Sequence, residues 1–226
     1  MLARVIDAVL PARCVVCHQP AQTELALCAF CHAELPYNRT RCIHCAQPLT
    51  GENLVCGHCQ QHPPHYQQAI SPLLYKDQAR QLILELKFHN KLRNARLLAN
   101  LFIEQLPENE RPELLIPVPL HPKRLRERGY NQALELAREL KKLTAIPIDA
   151  GSTRRRRYTE RQADLTLKDK SGNVKNAFEV VKTPSAHHIT IIDDVMTSGH
   201  TVNEFARILK QSGVEKIDIW VIARAG

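Results

Sequence analysis

The 226-residue sequence predicts an α/β domain with a mostly parallel sheet flanked by helices, preceded by a small metal-bound module. Three observations carry this. Eight cysteines, all between positions 14 and 59, form four Cys-x-x-Cys pairs. From residue 67 onward, strand-length apolar runs alternate with amphipathic helical stretches, the order that builds a parallel sheet. One of those strands, Ile189 to Ile192, runs into two carboxylates and then a hydroxyl- and glycine-bearing turn before a helix. Composition agrees, with 44% hydrophobic and 24% charged residues, close to an ordinary globular chain and unlike a disordered one. No apolar run reaches the roughly 18 residues of a membrane span, so no membrane insertion is expected. The start, Met1 to Leu10, carries Asp7 and lacks a basic segment followed by an apolar core, so a cytoplasmic protein is expected. A reducing compartment favours metal binding over disulfides.

The first module, residues 1–62, is a duplication. Arg13-Cys-Val-Val-Cys-His-Gln-Pro20 matches Arg41-Cys-Ile-His-Cys-Ala-Gln-Pro48 after twenty-eight residues. Each repeat holds two knuckles and therefore a complete tetrahedral thiolate set for one Zn²⁺. Segments this short bury too little apolar surface to fold alone, and metal binding supplies the missing free energy. A self-sufficient repeat places Cys14, Cys17, Cys28 and Cys31 on one zinc and Cys42, Cys45, Cys56 and Cys59 on a second; an interleaved cross-brace is the alternative. His18, His32, His44 and His58 lie in or beside the knuckles and read as loop histidines, because the thiolates already fill both sites. Closed four-thiolate sites are structural.

Gln60 to Tyr66 is a polar, proline-bearing linker, and residues 67–226 form the second unit. Ala69 to Tyr75 reads as a short strand. Asp77 to Phe88 and Asn90 to Leu106 read as helices, with Leu82, Leu86, Leu97, Leu98 and Leu101 at helical spacing. Leu114 to Pro119 is a buried strand ended by its prolines. Gln132 to Leu143 is amphipathic, with Ala133, Leu136, Ala137 and Leu140 on one side. Strands follow at Ala177 to Val181, Ile189 to Ile192 and Lys216 to Ala223. A helix with Val202, Phe205, Ala206 and Leu209 on one face joins the last two. In such sheets ligands bind at the carboxyl ends of the strands.

The stretch from Ile189 to Thr201 fits a phosphorylated sugar. Backbone N–H groups of Thr197 to Thr201 at a helix N-terminus form an anion nest supported by the helix dipole. Thr197, Ser198 and Thr201 add hydroxyl donors, and Gly199 lets backbone approach a phosphate closely. Asp193 and Asp194, just before the nest, are placed to accept hydrogen bonds from sugar hydroxyls, as an acidic residue does in dinucleotide sites. A plain helix cap and a signalling receiver domain, which also carries acidic residues at a strand end but no glycine-hydroxyl loop entering a helix, are the competing readings.

This stretch resembles the phosphoribosyl pyrophosphate (PRPP) signature of type I phosphoribosyltransferases, with Ser198 standing at the second threonine. Ile116-Pro-Val-Pro-Leu120, Arg126-x-Arg-Gly-Tyr-Asn-Gln132, Arg155-x-Arg157-x-Thr159-x-x-Gln162 and Asn173-x-x-x-Ala-Phe178 are similar to the ComF/GntX family of DNA-uptake and DNA-utilisation proteins, which also carry a Cys-x-x-Cys head. Lys170 stands where that family's pattern calls for arginine. The resemblance implies a type I phosphoribosyltransferase-like sheet with PRPP held across Asp193, Asp194, Val195, Met196, Thr197, Ser198, Gly199, His200 and Thr201. It further implies that the strand end through Pro119 and Leu120 approaches pyrophosphate with Mg²⁺, and that the protein works in DNA uptake.

The net charge of +8 is not spread evenly. Residues 1–66 balance to zero, whereas Lys123 to Arg128 carries +3 and Arg154 to Arg161 carries +4. Both segments read as irregular loops near strand ends. Three readings compete for Lys123, Arg124, Arg128, Arg155 and Arg157: a pyrophosphate grip, single-stranded DNA backbone contacts, or a solvated face. Tyr130 and Tyr158 suit base stacking, but core packing is the plainer reading of each. No base-reading motif is present. An acceptor-using transferase and a non-catalytic PRPP sensor that contacts single-stranded DNA or an uptake helicase therefore both stand.

Overall fold

A computed structural model describes residues 13–21, 25–51, 53–107, 111–158 and 174–226. Met1 to Leu10, Thr159, Arg161, Gln162, Lys170 and Asn173, which the sequence singled out, lie outside the described residues. The elements are α1 (Ala29–Ala33), α2 (Gly57–Gln61), β1 (Ala69–Ile70), β2 (Leu73–Leu74), α3 (Asp77–Phe88), α4 (Arg93–Ile103) and β3 (Leu114–Pro117). They continue with α5 (Pro122–Arg128), α6 (Gln132–Thr144), β4 (Thr153–Arg155), β5 (Phe178–Val180), β6 (His188–Met196), α7 (His200–Gln211) and β7 (Lys216–Arg224).

The main sheet is parallel throughout, with β3 beside β6, β6 beside β7, and β1 and β2 sharing the far edge of β7. Because successive strand residues point to opposite faces, β7 divides its apolar payload. Trp220 and Ile222 enter one core with Leu82, Leu98, Phe102 and Leu136 of α3, α4 and α6. Ile217, Ile219 and Val221 enter the other, with Val202, Phe205 and Leu209 of α7. A sheet covered on both faces requires the near-continuous apolar strands seen here. The helical stripes read from the sequence on α3, α4, α6 and α7 are all buried.

Several boundaries depart from expectation, each for a local reason. The single strand expected over Ala69 to Tyr75 is two, broken at Ser71-Pro72, where Pro72 offers no N–H and its carbonyl instead accepts from Asn38 N at 2.7 Å. The helix expected from Asn90 begins at Arg93, because Asn90 takes a left-handed conformation (φ 54°). The strand at Ala177 to Val181 shortens to β5 and leaves the parallel sheet, pairing antiparallel with β4. Ile189 to Ile192 extends to Met196, so the acidic pair lies within the strand and not beyond it. Lys123 to Arg128 is a helix, not a loop. His121 caps it by accepting from Lys123 N at 3.2 Å, Pro122 opens it, and Gly129 (φ 84°) closes it. Arg154 and Arg155 likewise belong to a strand.

The two ribbons dock on opposite sides of the body. Val15, Leu27 and Leu35 of the first join the core of α3 and α4, and His32 Nε2 meets Glu104 Oε2 at 2.8 Å. Ala46 of the second joins the α7 core with Tyr66 and Met196. Among the described residues, no helix is long and apolar enough to cross a membrane.

Candidate functional site

The cysteines resolve into two quartets, Cys14, Cys17, Cys28 and Cys31, and Cys42, Cys45, Cys56 and Cys59, each with its four sulfurs within 4.8 Å of one another. The pairing is sequential, as the repeat predicts, and no histidine joins either set. Burial opposes ionisation of Cys14, but the N–H groups of Cys17, Cys28 and Val16 bring it down to about 6. Cys42 is drawn to about 7 in the same way by Cys56, Cys45 and His44. Burial and neighbouring thiols push Cys31 and Cys59 far up. Four sulfurs this close ionise together only around a cation, so the donor set fits Zn²⁺, bound as two closed structural sites.

The second cluster lies at the carboxyl ends of β3 and β6. Asp193 Oδ1 accepts from Asp194 N at 2.9 Å, and Asp194 Oδ1 accepts from Val195 N at 3.0 Å. Asp194 is only 3% exposed, and its Oδ2 lies 2.6 Å from Lys87 Nζ, in the last turn of α3. Burial, then the Asp194 carboxylate, pushes Asp193 up to about 7, while Lys87 pulls the other way. Burial, then the Arg124 guanidinium, brings Arg155 down to about 10, with Asp193 opposing. Anionic and cationic groups thus share one partly dehydrated site.

Beyond Met196 the chain turns through Thr197 and Ser198 to Gly199 (φ 78°), which caps α7. A side chain at 199 would be strained by that angle, and its Cβ would sit 3.5 Å from Met196 Sδ. The turn aims the open N-terminus of a three-turn helix at a cleft of about 420 Å³. Asp193, Asp194, Val195, Thr197 and Thr201 line one side of it, and Leu120, Arg124, Arg128 and Arg155 line another. Met196 and Gly199 line a smaller recess under the loop. Ser198 Oγ and His200 Nδ1 bond each other at 3.0 Å.

Not every expected residue faces the cleft. Pro119 lines a neighbouring depression. Lys123 Nζ stands 4.8 Å from the Tyr158 ring centre, and Arg124 Cζ stands 5.5 Å from it. Tyr158 is 44% exposed, which corrects its reading as a core residue; Tyr130 is packed against the core and donates to the Leu86 carbonyl. Arg157 Nη1 donates to the Lys175 carbonyl at 2.8 Å, away from the cleft. The sequence reading missed Lys87, since a lysine in a helix's last turn looks like an ordinary dipole complement. It also missed Arg224, whose signal was available: a charge set directly at the end of the apolar run of β7.

Fold, loop and carboxylate pair define a class, the phosphoribosyltransferase-type α/β domain with a zinc-ribbon head. The phosphoribosyl transferase domain family matches residues 126–226, and the double zinc ribbon domain family matches residues 5–60. Competence protein F of Haemophilus influenzae is 37% identical over 153 residues, 64% of this chain and 67% of that protein. DNA utilization protein YhgH of Escherichia coli O6:H1 is 31% identical over 222 residues, 93% of this chain and 89% of that protein. The chain belongs to the family of these competence and DNA-utilisation proteins. Among solved structures, a purine phosphoribosyltransferase from Pyrococcus horikoshii Ot3 aligns at 15% identity over 65% of this chain and 82% of that chain, with a TM-score of 0.28, too slight a likeness to argue from.

Proposed function

We propose that the cleft binds PRPP with Mg²⁺, in a protein serving DNA uptake or utilisation in the cytoplasm. The single observation carrying this is the joining of a carboxylate pair, Asp194 buried and Asp193 half-buried, to a helix N-terminus that no side chain caps, in one cleft. The 5′-phosphate sits on the N–H groups of Thr197 to Thr201, and Asp193 and Asp194 accept from the ribose hydroxyls. Val195, Met196, Ser198, Gly199 and His200 supply the backbone of that cradle. Leu120, Arg124, Arg128 and Arg155 face the pyrophosphate end, with Pro119, Lys123 and Arg157 in an outer ring. Mg²⁺ carried in with PRPP would supply charge neutralisation at the pyrophosphate, next to Arg124, Arg128 and Arg155. In the transfer the bond from the anomeric carbon to pyrophosphate breaks and pyrophosphate leaves with the electron pair, while a nitrogen of the acceptor base or nucleotide bonds to the same carbon and gives up its proton to solvent. The arginines stabilise the leaving charge as an oxocarbenium-like centre develops.

A second reading has its own support. Tyr158 is exposed beside two cations, a combination that suits single-stranded DNA, so a PRPP-sensing adaptor for DNA or an uptake helicase is the alternative. Pyrophosphate release from PRPP with a panel of bases and nucleotides separates the two. Release with one acceptor establishes the transferase, and tight PRPP binding without release for any acceptor leaves the sensor.

A further inference from the structure

Arg224 closes β7 and is 7% exposed, and among the described residues it pairs with no carboxylate. Its guanidinium bridges two parts of the molecule. Toward the second ribbon, Nε donates to the Cys45 carbonyl at 2.9 Å and Nη2 to Gln47 Oε1 at 2.7 Å. Toward the phosphate loop, Nη1 donates to the Met196 carbonyl at 3.1 Å and also to the carbonyls of Thr197 and Ala225. A buried guanidinium held only by neutral acceptors is costly unless a negative charge lies close. The second quartet supplies it, because four thiolates around one Zn²⁺ carry a net charge of −2.

The rest of the contact between ribbon and loop follows the same line. Tyr66 lies with its hydroxyl 4.0 Å from Met196 Sδ, and its oxygen is 3.9 Å from where a Cβ on Gly199 would stand. His44 Nδ1 is 2.6 Å from the Gln67 carbonyl, and the Gln67 side chain accepts from Ile217 N at 2.8 Å. In the first ribbon the equivalent residues, Cys17 and Gln19, are exposed. The duplication therefore contains its own control.

We propose that Arg224 is a positioning residue coupling the second zinc centre to the phosphate loop, so that zinc on Cys42, Cys45, Cys56 and Cys59 holds Thr197 to Thr201 in binding geometry. A rigid, loaded knuckle fixes the Cys45 carbonyl, that carbonyl and Gln47 fix the guanidinium plane, and the plane fixes the carbonyls of 196 and 197. Removing the metal frees the first link and releases the last. The ligand half of this inference rests on the PRPP reading; the ordering of the loop does not.

The test uses the full chain with zinc counted by elemental analysis, amide hydrogen exchange over residues 196–201, and PRPP·Mg²⁺ titration. Cys45→Ser and Cys17→Ser each lower zinc from two atoms per chain to one. Exchange at 196–201 rises at least tenfold in Cys45→Ser and stays within twofold of wild type in Cys17→Ser, with PRPP affinity falling in the same order. Arg224→Met keeps both zinc atoms and reproduces the Cys45→Ser exchange. Gln47→Ala, which removes a single half-exposed acceptor and leaves the fold intact, raises exchange about threefold. Equal exchange in the two cysteine variants, or unchanged exchange in both Arg224→Met and Gln47→Ala, overturns the coupling. Absence of PRPP binding in the wild type refutes the ligand reading alone, since the exchange comparison still decides the coupling through Arg224.

Discussion

The segments Lys123 to Arg128 and Arg154 to Arg157 are both arginine-rich and strongly basic, and they have divergent surroundings. The first is helical, so its basic residues sort by a period of 3.6: Arg124 and Arg128, four apart, line the cleft, while Lys123 turns to Tyr158. The second enters a strand, so its residues sort by a period of two. Arg155 lines the cleft, while Arg154 Nε and Arg156 Nε lie 2.6 and 3.5 Å from Glu179 Oε2 on the other side. Positive charge counted along the chain is a poor guide to where that charge acts. Three guanidiniums, not the whole of two runs, face the carboxylate pair.

Substitutions along the second run draw that contrast most sharply. Arg155→Ala removes a partly dehydrated cation facing the ligand, a loss of about 2–3 kcal/mol, or roughly 30- to 150-fold in PRPP affinity by calorimetry. Arg154→Ala, one residue away, changes affinity less than about twofold, because a solvated rim pair contributes little. Comparable losses in the two variants would break the distinction. Arg124→Ala with Arg128→Ala comes next, at about tenfold. The same double variant flattens the salt dependence of single-stranded DNA binding if the helix also tracks a nucleic-acid backbone.

A smaller effect follows from Asp193, whose carboxyl is pushed up to about 7 by burial and by Asp194. The folded state holds this proton more tightly than the unfolded chain. Its contribution to stability is therefore full below about pH 4 and lost as pH rises through about 7. Ligand binding runs the opposite way, because a carboxylate accepts from ribose hydroxyls better than a carboxylic acid does. PRPP affinity should rise between about pH 6 and 8 in wild type and stay flat in Asp193→Asn, measured by titration at fixed ionic strength. The smallest effect is expected of Glu179→Ala, whose loss of two exposed ion pairs should leave the denaturant midpoint unchanged.

Much of this was legible in the sequence for identifiable reasons. The helical stripes of α3, α6 and α7 are strong period signals, and Asp77 to Phe88 begins and ends where its apolar spacing does. The quartets were legible because a twenty-eight-residue repeat leaves each unit with its own four thiolates. The turn at Gly199 announced itself through residue types that only a phosphate cradle or a cap would need. What stayed hidden depends on contacts distant in sequence. Lys87 meets Asp194 across more than a hundred residues, and Arg224 joins a ribbon to a loop it does not neighbour along the chain. The α5 helix was missed because five charges in seven residues mask any apolar face, and its signals were the flanking Pro122 and Gly129 instead.

The most direct test of the account is calorimetric titration of PRPP with Mg²⁺ into the zinc-loaded chain and into Asp193→Asn/Asp194→Asn, with folding of both checked by circular dichroism. The account predicts one site per chain in wild type and an affinity at least a hundredfold weaker in the double variant. Equal binding by the two folded proteins, or no binding by wild type with both zinc sites filled, would contradict it.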